Sequence, residues 1–401
     1  MTERLYYTDA DCLDFEATVV SCDAVDGRLV AVLDRTAFYP TSGGQPFDTG
    51  MLDEVPVVDV IDLDDDRVGH VVSSAIDAGR RVRGRIDAAR RFDHRQQHTG
   101  QHILSAAFDR LHRARTVGFH LGADASTLDL DKVLSPESMA KAEAEANRIV
   151  WDNRAVTIRF ATAEEAASLE LRKEPTRTGP LRLVDVDLFD LSACGSTHVA
   201  RAGAVGVVAI RSWEKFRGGT RLEFVCGGRA LREFRTLRDA VTGSQRFLSV
   251  APADLPAAIE RAQGDNKDLK KTITALQDRL AVHEAAALVA RATAVGGARV
   301  VIEAVDGWDQ AGLKSMAAAA AAHPGVVAAL VSTSTPALVV IARAEGAAVD
   351  ASAVLKDLIG AFGGKGGGKA DLAQGGGLSA TPEALTAEIA RLVDQALRLA
   401  P

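Results

Sequence analysis

Two short clusters carry the residue types that metal chemistry needs. His98-Thr99-Gly100-Gln101-His102 sets two imidazoles four positions apart, which on a helix puts them on one face and lets both reach a single ion. Cys194-Gly195-Ser196-Thr197-His198 brackets three small residues with a thiol and an imidazole, and small residues let the backbone fold tightly enough for both groups to converge. Three imidazoles and a thiolate suit zinc, whereas magnesium and calcium sites want oxygen. Thr99 stands where zinc peptidases carry a glutamate base, so peptide hydrolysis is disfavoured. With all four side chains bound the tetrahedron is closed and the zinc structural; with one loose, water takes the open position. Spacing leaves both arrangements open.

Hydrophobic period shows which elements must position these clusters. Residues 93–111 have helical period, with Ile103, Leu104, Ala107, Phe108 and Leu111 on one stripe. A second helix is expected over 136–150, with Ser135 as N-cap, Pro136 at the first helical position and Glu137 in the first turn. Earlier, alternating runs at 16–22, 28–33, 57–63, 68–72 and 81–86 are separated by Asp26-Gly27 and the glycine-rich stretch 42–50, which predicts a small antiparallel β domain. Strand-like runs at 156–160, 181–188, 205–210 and 220–225 make the middle of the chain an α+β unit.

After Arg229 the chain turns helical, and Leu269, Ile273, Leu276, Leu280, His283 and Ala287 recur in steps of four and three. That is a heptad seam, which a partner helix in the same chain or in a dimer would hide. Beyond Gly296-Gly297, strands at 299–304, 326–332 and 337–342 alternate with helices at 310–322, 351–362 and 382–399. The expected fold class is α+β in four parts: a β domain over 1–92, a metal-binding core over 93–248, a helical connector over 249–295 and an α/β domain over 296–401.

A chain of 401 residues exceeds one ordinary core, and 47% apolar with 25% charged residues is globular composition. No apolar run reaches the roughly 18 residues that span a bilayer, and residues 1–7 are polar where an export signal would be apolar, so a soluble cytoplasmic protein is expected. Four cysteines in such a chain make no disulfide framework and should be reduced. A net charge of −7 argues against coating nucleic acid by charge alone, yet Arg80, Arg81, Arg83, Arg85, Arg90, Arg91 and Arg95 crowd one stretch and leave room for a local basic face.

The two metal-type clusters occur together with Phe38-Tyr39-Pro40-Thr41-Ser42-Gly43-Gly44-Gln45 and Asp48-Thr49-Gly50. Gly118-Phe119-His120-Leu121-Gly122 follows, with Thr127-Leu128-Asp129, Arg172-Lys173-Glu174-Pro175 and Glu214-Lys215-Phe216-Arg217-Gly218-Gly219. This set resembles the editing region of alanyl-tRNA synthetases, and more closely the free-standing AlaX-type alanyl-tRNA editing proteins. The glycine-rich segment 363–377 resembles the C-terminal domain of the synthetases, a module shared with DHH-type phosphoesterases. An aminoacylation domain has no counterpart here, so the expectation is a long-form editing protein acting in trans. The chain departs from the family at Ser196, where glycine is usual, which adds a hydroxyl beside the metal site.

The resemblance implies hydrolysis of the ester that joins a wrong amino acid, chiefly serine and also glycine, to alanine tRNA, with Zn2+ held by His98, His102, Cys194 and His198. Thr41, Ser42 and Gln45 are the groups nominated to sense the serine hydroxyl, with Gly43, Gly44 and Gly122 lining the substrate. His120, beside Gly122, is the candidate for orienting substrate or water, with Gln45 as its catalytic companion. Lys365 and Lys369, in a loop of bare backbone N–H groups, are expected to track phosphates, and Arg172 and Lys173 to contact tRNA. That loop lacks the Gly-Lys-Ser/Thr ending of a nucleotide P-loop, so ATP binding is not expected. The expected partner is tRNA, joined by a second copy where the heptad seam pairs between chains and not within one. Two rival readings are editing of a threonine-type tRNA and a non-catalytic RNA-binding module with a structural zinc.

Overall fold

The structure is a computed structural model that describes residues 1–63, 65–172 and 181–399. It divides into two compact units, Met1–Gly243 and Ser244–Pro401. The first unit opens with a closed antiparallel barrel whose strands, in order around it, are Asp14–Val25, Arg28–Leu33, Val68–Val72, Val55–Asp62, Gly50–Leu52 and Arg81–Ile86. Alternation builds it: in Arg81–Ile86 the arginines face water while Val82, Gly84 and Ile86 face the core. Gly84 must lack a side chain, because a Cβ there would stand 2.3 Å from the Phe15 ring. Arg80, Arg81, Arg83, Arg91 and Arg95 each pair with a carboxylate, so the arginine-rich stretch is largely neutralised and is not the free basic face that composition allowed.

The helix Ala88–His112 follows directly, starting five residues before the expected 93 because Asp87 caps it, accepting the Arg90 N–H at 3.0 Å. Its apolar side and the helix Pro136–Trp151, capped by Ser135, enclose a core that includes Leu104, Phe108, Ile149 and Phe224. Two antiparallel sheets surround that core. One runs Val208–Phe216, Gly219–Cys226, Ser126–Leu130, Thr116–Leu121; the other runs Val156–Ala161, Leu181–Val186, Asp190–Ala193. The strands Thr116–Leu121, Ser126–Leu130 and Asp190–Ala193 are additional to those read from the sequence.

In the second unit a six-stranded mixed sheet has the order Thr293–Val295, Ala298–Val305, Val326–Ser332, Ala337–Arg343, Leu372–Leu378, Lys365–Gly368. The glycine-rich segment is thus a β-hairpin and not an open phosphate-tracking loop: Gly366 pairs with Gly375 and Gly368 with Ala373. A Cβ at Gly366 would stand 2.5 Å from the Gln374 carbonyl, so the glycines serve close strand approach. The helix Leu255–Ala290 packs Ala281, Ala285, Leu288 and Val289 against Leu313 and Met316 of Gln310–Ala321. Leu269, Ile273, Leu276 and Leu280 of the heptad seam stay exposed.

Candidate metal centre

One turn of the Ala88–His112 helix separates His98 from His102, and the loop after Asp190–Ala193 brings Cys194 and His198 to them. The four donor atoms lie within 4.8 Å of one another. Cys194 Sγ is 3.6 Å from His98 Nε2 and 3.4 Å from His198 Nε2. All three imidazoles are buried. Each has its Nδ1 engaged by an oxygen: His98 with Gln45 Oε1 at 3.0 Å, His102 with Asp190 Oδ2 at 3.0 Å and His198 with Thr99 Oγ1 at 3.1 Å. An amide or carboxylate oxygen can only accept, so Nδ1 of His98 and of His102 carries a proton and Nε2 of each is left to meet an ion, whereas the Thr99 hydroxyl, which accepts the Val199 N–H at 3.1 Å, orients the His198 ring as donor or acceptor. That is the donor set a borderline-soft tetrahedral ion takes.

A further layer fixes those oxygens. Gln45 Nε2 donates to Thr197 Oγ1 at 2.8 Å, and Asp190 accepts from Arg172 Nε at 2.6 Å and from Ser192 Oγ at 3.1 Å. Arg182 donates to the carbonyls of Cys194 (2.6 Å) and Ser196 (3.0 Å), while Arg95 donates to that of His198 at 2.7 Å. Burial holds His98 and His198 below the usual imidazole range and therefore neutral. Burial also opposes ionisation of Cys194, but the adjoining His98 and His198, with hydrogen bonds from His102 and His198, outweigh it and hold the thiol well below its ordinary value. His102 differs: burial opposes its charge, but hydrogen bonds to Asp190 and Cys194 outweigh burial and raise its pKa to about 9, so the site favours a thiolate beside one charged and two neutral imidazoles.

The residues read from the sequence divide sharply. His98, His102, Cys194 and His198 come together. Gln45 reaches the cluster but spends both ends of its amide on His98 and Thr197, so it is a brace and not a free sensor. Thr41 is exposed and accepts the Phe47 N–H at 3.2 Å, and Ser42 pairs with Gln45 through backbone bonds of 3.1 and 2.9 Å. Between them Gly43 and Gly44 take φ of +54° and +80°, and a Cβ on Gly44 would stand 2.7 Å from Phe119.

His120 is not brought to the cluster. Phe119 packs its ring 5.1 Å from that of His98, and strand alternation sends the exposed His120 to the opposite face. Gly122 is a turn residue: its carbonyl accepts from Arg229 at 2.7 Å, and a Cβ would stand 2.5 Å from the Ala125 carbonyl. Arg172 is drawn inward onto Asp190, so it is not a free surface cation, and Lys173 lies outside the described residues. Lys365 and Lys369 are exposed in the second unit. Sequence reading missed Asp190, Arg182 and the supporting role of Thr99, and none of the three carried a local signal: Thr99 stands beside His98 but supports His198, 99 positions away.

The DHHA1 domain family matches residues 297–398. The alanyl-tRNA editing protein AlaX-L of Pyrococcus horikoshii is 30% identical over 391 residues, covering 94% of this chain and 94% of that protein. Alanine–tRNA ligases are also similar: that of Methanoregula boonei is 35% identical over 395 residues, covering 94% of this chain and 42% of the ligase. The ligase of Halobacterium salinarum is 36% identical over 412 residues, covering 98% and 44%. The chain therefore spans about two-fifths of the length of these ligases. Among solved structures, the C-Ala domain of the Aquifex aeolicus alanyl-tRNA synthetase is 24% identical, covering 26% of this chain and 96% of that domain with a TM-score of 0.24.

Proposed function

Because the chain belongs to the family of AlaX-L alanyl-tRNA editing proteins, we propose that it is an aminoacyl-tRNA hydrolase that clears serine, and also glycine, from wrongly charged alanine tRNA at a zinc site formed by His98, His102, Cys194 and His198. The observation that carries this reading is the convergence of three oriented imidazoles and a thiolate beside a glycine-rich loop. Bound there, zinc supplies a Lewis acid for the tRNA end or lowers the pKa of a water for attack on the ester.

The protein's own residues do the rest. Gln45, Asp190 and Thr99 hold the ligand rings in one orientation. Phe119 and the Gly43–Gly44 turn wall the side of the cluster where a small aminoacyl group would lie. Thr41 and Ser42 remain the hydroxyls proposed to meet serine, and a site that hydrogen-bonds a hydroxyl rejects the analogue without it strongly. His120 has no part at the ester in this reading.

The exposed Lys365 and Lys369 are proposed to hold tRNA phosphates, with Lys173 as a further candidate, and the seam at Leu269–Ile273–Leu276–Leu280 to pair with a second copy. The division at 92, 248 and 295 is the working layout for these tasks. With such a substrate the reaction is proposed to run in the cytoplasm. The test is a deacylation assay on seryl-, glycyl- and alanyl-tRNA(Ala) and on seryl-tRNA(Thr), with and without chelator. Hydrolysis of the first two that chelation abolishes supports the proposal. Preference for the threonine tRNA moves it to the rival editing reaction, and tRNA binding without hydrolysis leaves an RNA-binding module with a structural zinc.

A further inference from the structure

The glycine-rich loop and the ligand-bearing loop are tied together at two hydrogen bonds. One is Gln45 to Thr197; the other joins Tyr39 Oη to Ser196 Oγ at 2.7 Å across 157 positions of chain. The Tyr39 phenol also lies 3.0 Å from the Ser42 carbonyl oxygen. A phenol has one hydrogen and a carbonyl can only accept it, which fixes the direction: Ser196 Oγ–H donates to Tyr39 Oη, and Tyr39 Oη–H donates to Ser42. Burial pushes the Tyr39 phenol above its ordinary value, so it stays a donor.

Tyr39 is itself a fixed post. Its ring meets Tyr6 edge-on at 5.2 Å, its N–H donates to Asp48 at 2.7 Å, and Asp48 is locked by the buried Arg91. On the other side, Ser196 Oγ sits 3.2 Å from where a Cβ of Gly43 would be, so its side chain also limits how near the turn comes to the ligand loop. Ser196 is 1% exposed and Tyr39 3%, which leaves no water to replace either partner.

We propose that Ser196 is a positioning residue: through Tyr39 its hydroxyl holds the Ser42–Gly44 turn at a set distance from the Cys194–His198 loop, and this distance governs how well the site separates a seryl from an alanyl ester. The specificity half rests on the editing reading; the tether does not. Recognition of a single hydroxyl fails with displacements of about 1 Å, so a turn loosened at one end loses discrimination before it loses the metal.

The experiment compares wild type with Ser196→Ala, Tyr39→Phe and the double variant, each first checked for unchanged metal content. Amide exchange at Ser42 and Gln45, whose N–H groups bond across the turn, should quicken about tenfold in Tyr39→Phe, which breaks both bonds, by severalfold in Ser196→Ala, and no further in the double than in Tyr39→Phe, as expected for two residues in one chain of hydrogen bonds. The ratio of kcat/KM for seryl- over alanyl-tRNA should fall about five- to tenfold in either single variant, again without further loss in the double. Unchanged exchange in Ser196→Ala, or effects that multiply in the double variant, overturns the tether whatever the activity. A looser turn with wild-type discrimination overturns the specificity half. A wild-type protein inert on seryl-tRNA whose turn still loosens in Ser196→Ala removes the editing reading and leaves the tether standing.

Discussion

The metal-type cluster of the first unit and the glycine-rich hairpin of the second are built on opposite physical terms. Every imidazole of the cluster is held by a side chain remote in sequence: Gln45 lies 53 positions from His98, Asp190 88 from His102 and Thr99 99 from His198. The hairpin strand Lys365–Gly368 is exposed throughout and is held by backbone pairing with Leu372–Leu378. A site that does chemistry needs fixed, water-poor geometry, which side-chain hydrogen bonds supply. A surface that meets a polyanion needs accessible N–H groups and cations, and rigidity in its side chains adds little.

The largest effect expected from this contrast is at Cys194. Cys194→Ala should empty the metal site and reduce deacylation by at least about a hundredfold, because it removes the sole thiolate of the set. Lys365→Ala should leave metal content unchanged. Elemental analysis of both variants, run beside the deacylation assay, checks this, and retained metal in Cys194→Ala would break the comparison at its root.

The next effect is smaller and tests the outer layer. Asp190→Ala should weaken metal binding about 10- to 100-fold in chelator competition, and Arg172→Ala less, since it acts through Asp190. Were Arg172 a tRNA contact, its removal would raise KM and leave metal affinity untouched.

These two predictions also mark what was legible. Ligands lie in pairs four apart, so helical and tight-loop spacing exposes them; their supports do not. Asp190 opens the short strand Asp190–Ala193, which the sequence pattern did not mark after the run at 181–188, and Arg172 was read as a tRNA contact because nothing local draws it inward. His120 and Phe119 were exchanged in effect: the neighbouring Gly122 and the family resemblance nominated the histidine, whereas strand alternation gives the ring contact to the phenylalanine. In the second unit the sheet and helices were legible from period, but a run of glycines carries no hydrophobic alternation, and its hairpin follows from register with Leu372–Leu378.

The two units should also differ in acid. His70 is buried in the barrel between Thr36 Oγ1 at 2.8 Å and the Ala31 carbonyl at 3.0 Å, and burial lowers its pKa from 6.5 to about 4. Between these values the unfolded chain takes up a proton that the folded barrel refuses. The contribution of His70 is therefore full above about pH 6.5 and lost progressively as pH falls toward 4, on the order of 1–3 kcal/mol. The second unit's histidines, His283 and His323, are exposed. Denaturant unfolding followed by hydrogen exchange at pH 7 and pH 5 should show the barrel weakening more than the second unit's sheet, with His70→Gln flattening the difference. Equal pH slopes in wild type and His70→Gln would remove His70 as the cause.

The smallest effect sharpens the other side of the contrast. If the hairpin only adds affinity, Lys365→Ala with Lys369→Ala should raise KM for seryl-tRNA roughly two- to fivefold and leave kcat alone, because uniform binding is lost and no contact made only in the transition state is touched. Each phosphate contact releases close to one counterion, so the plot of log affinity against log salt should become shallower by about one to two units. Both changes should appear together. A drop in kcat with an unchanged salt slope would mean that the hairpin acts on the geometry of the cluster and not on the phosphates of tRNA, and the division of labour between the two regions would fail.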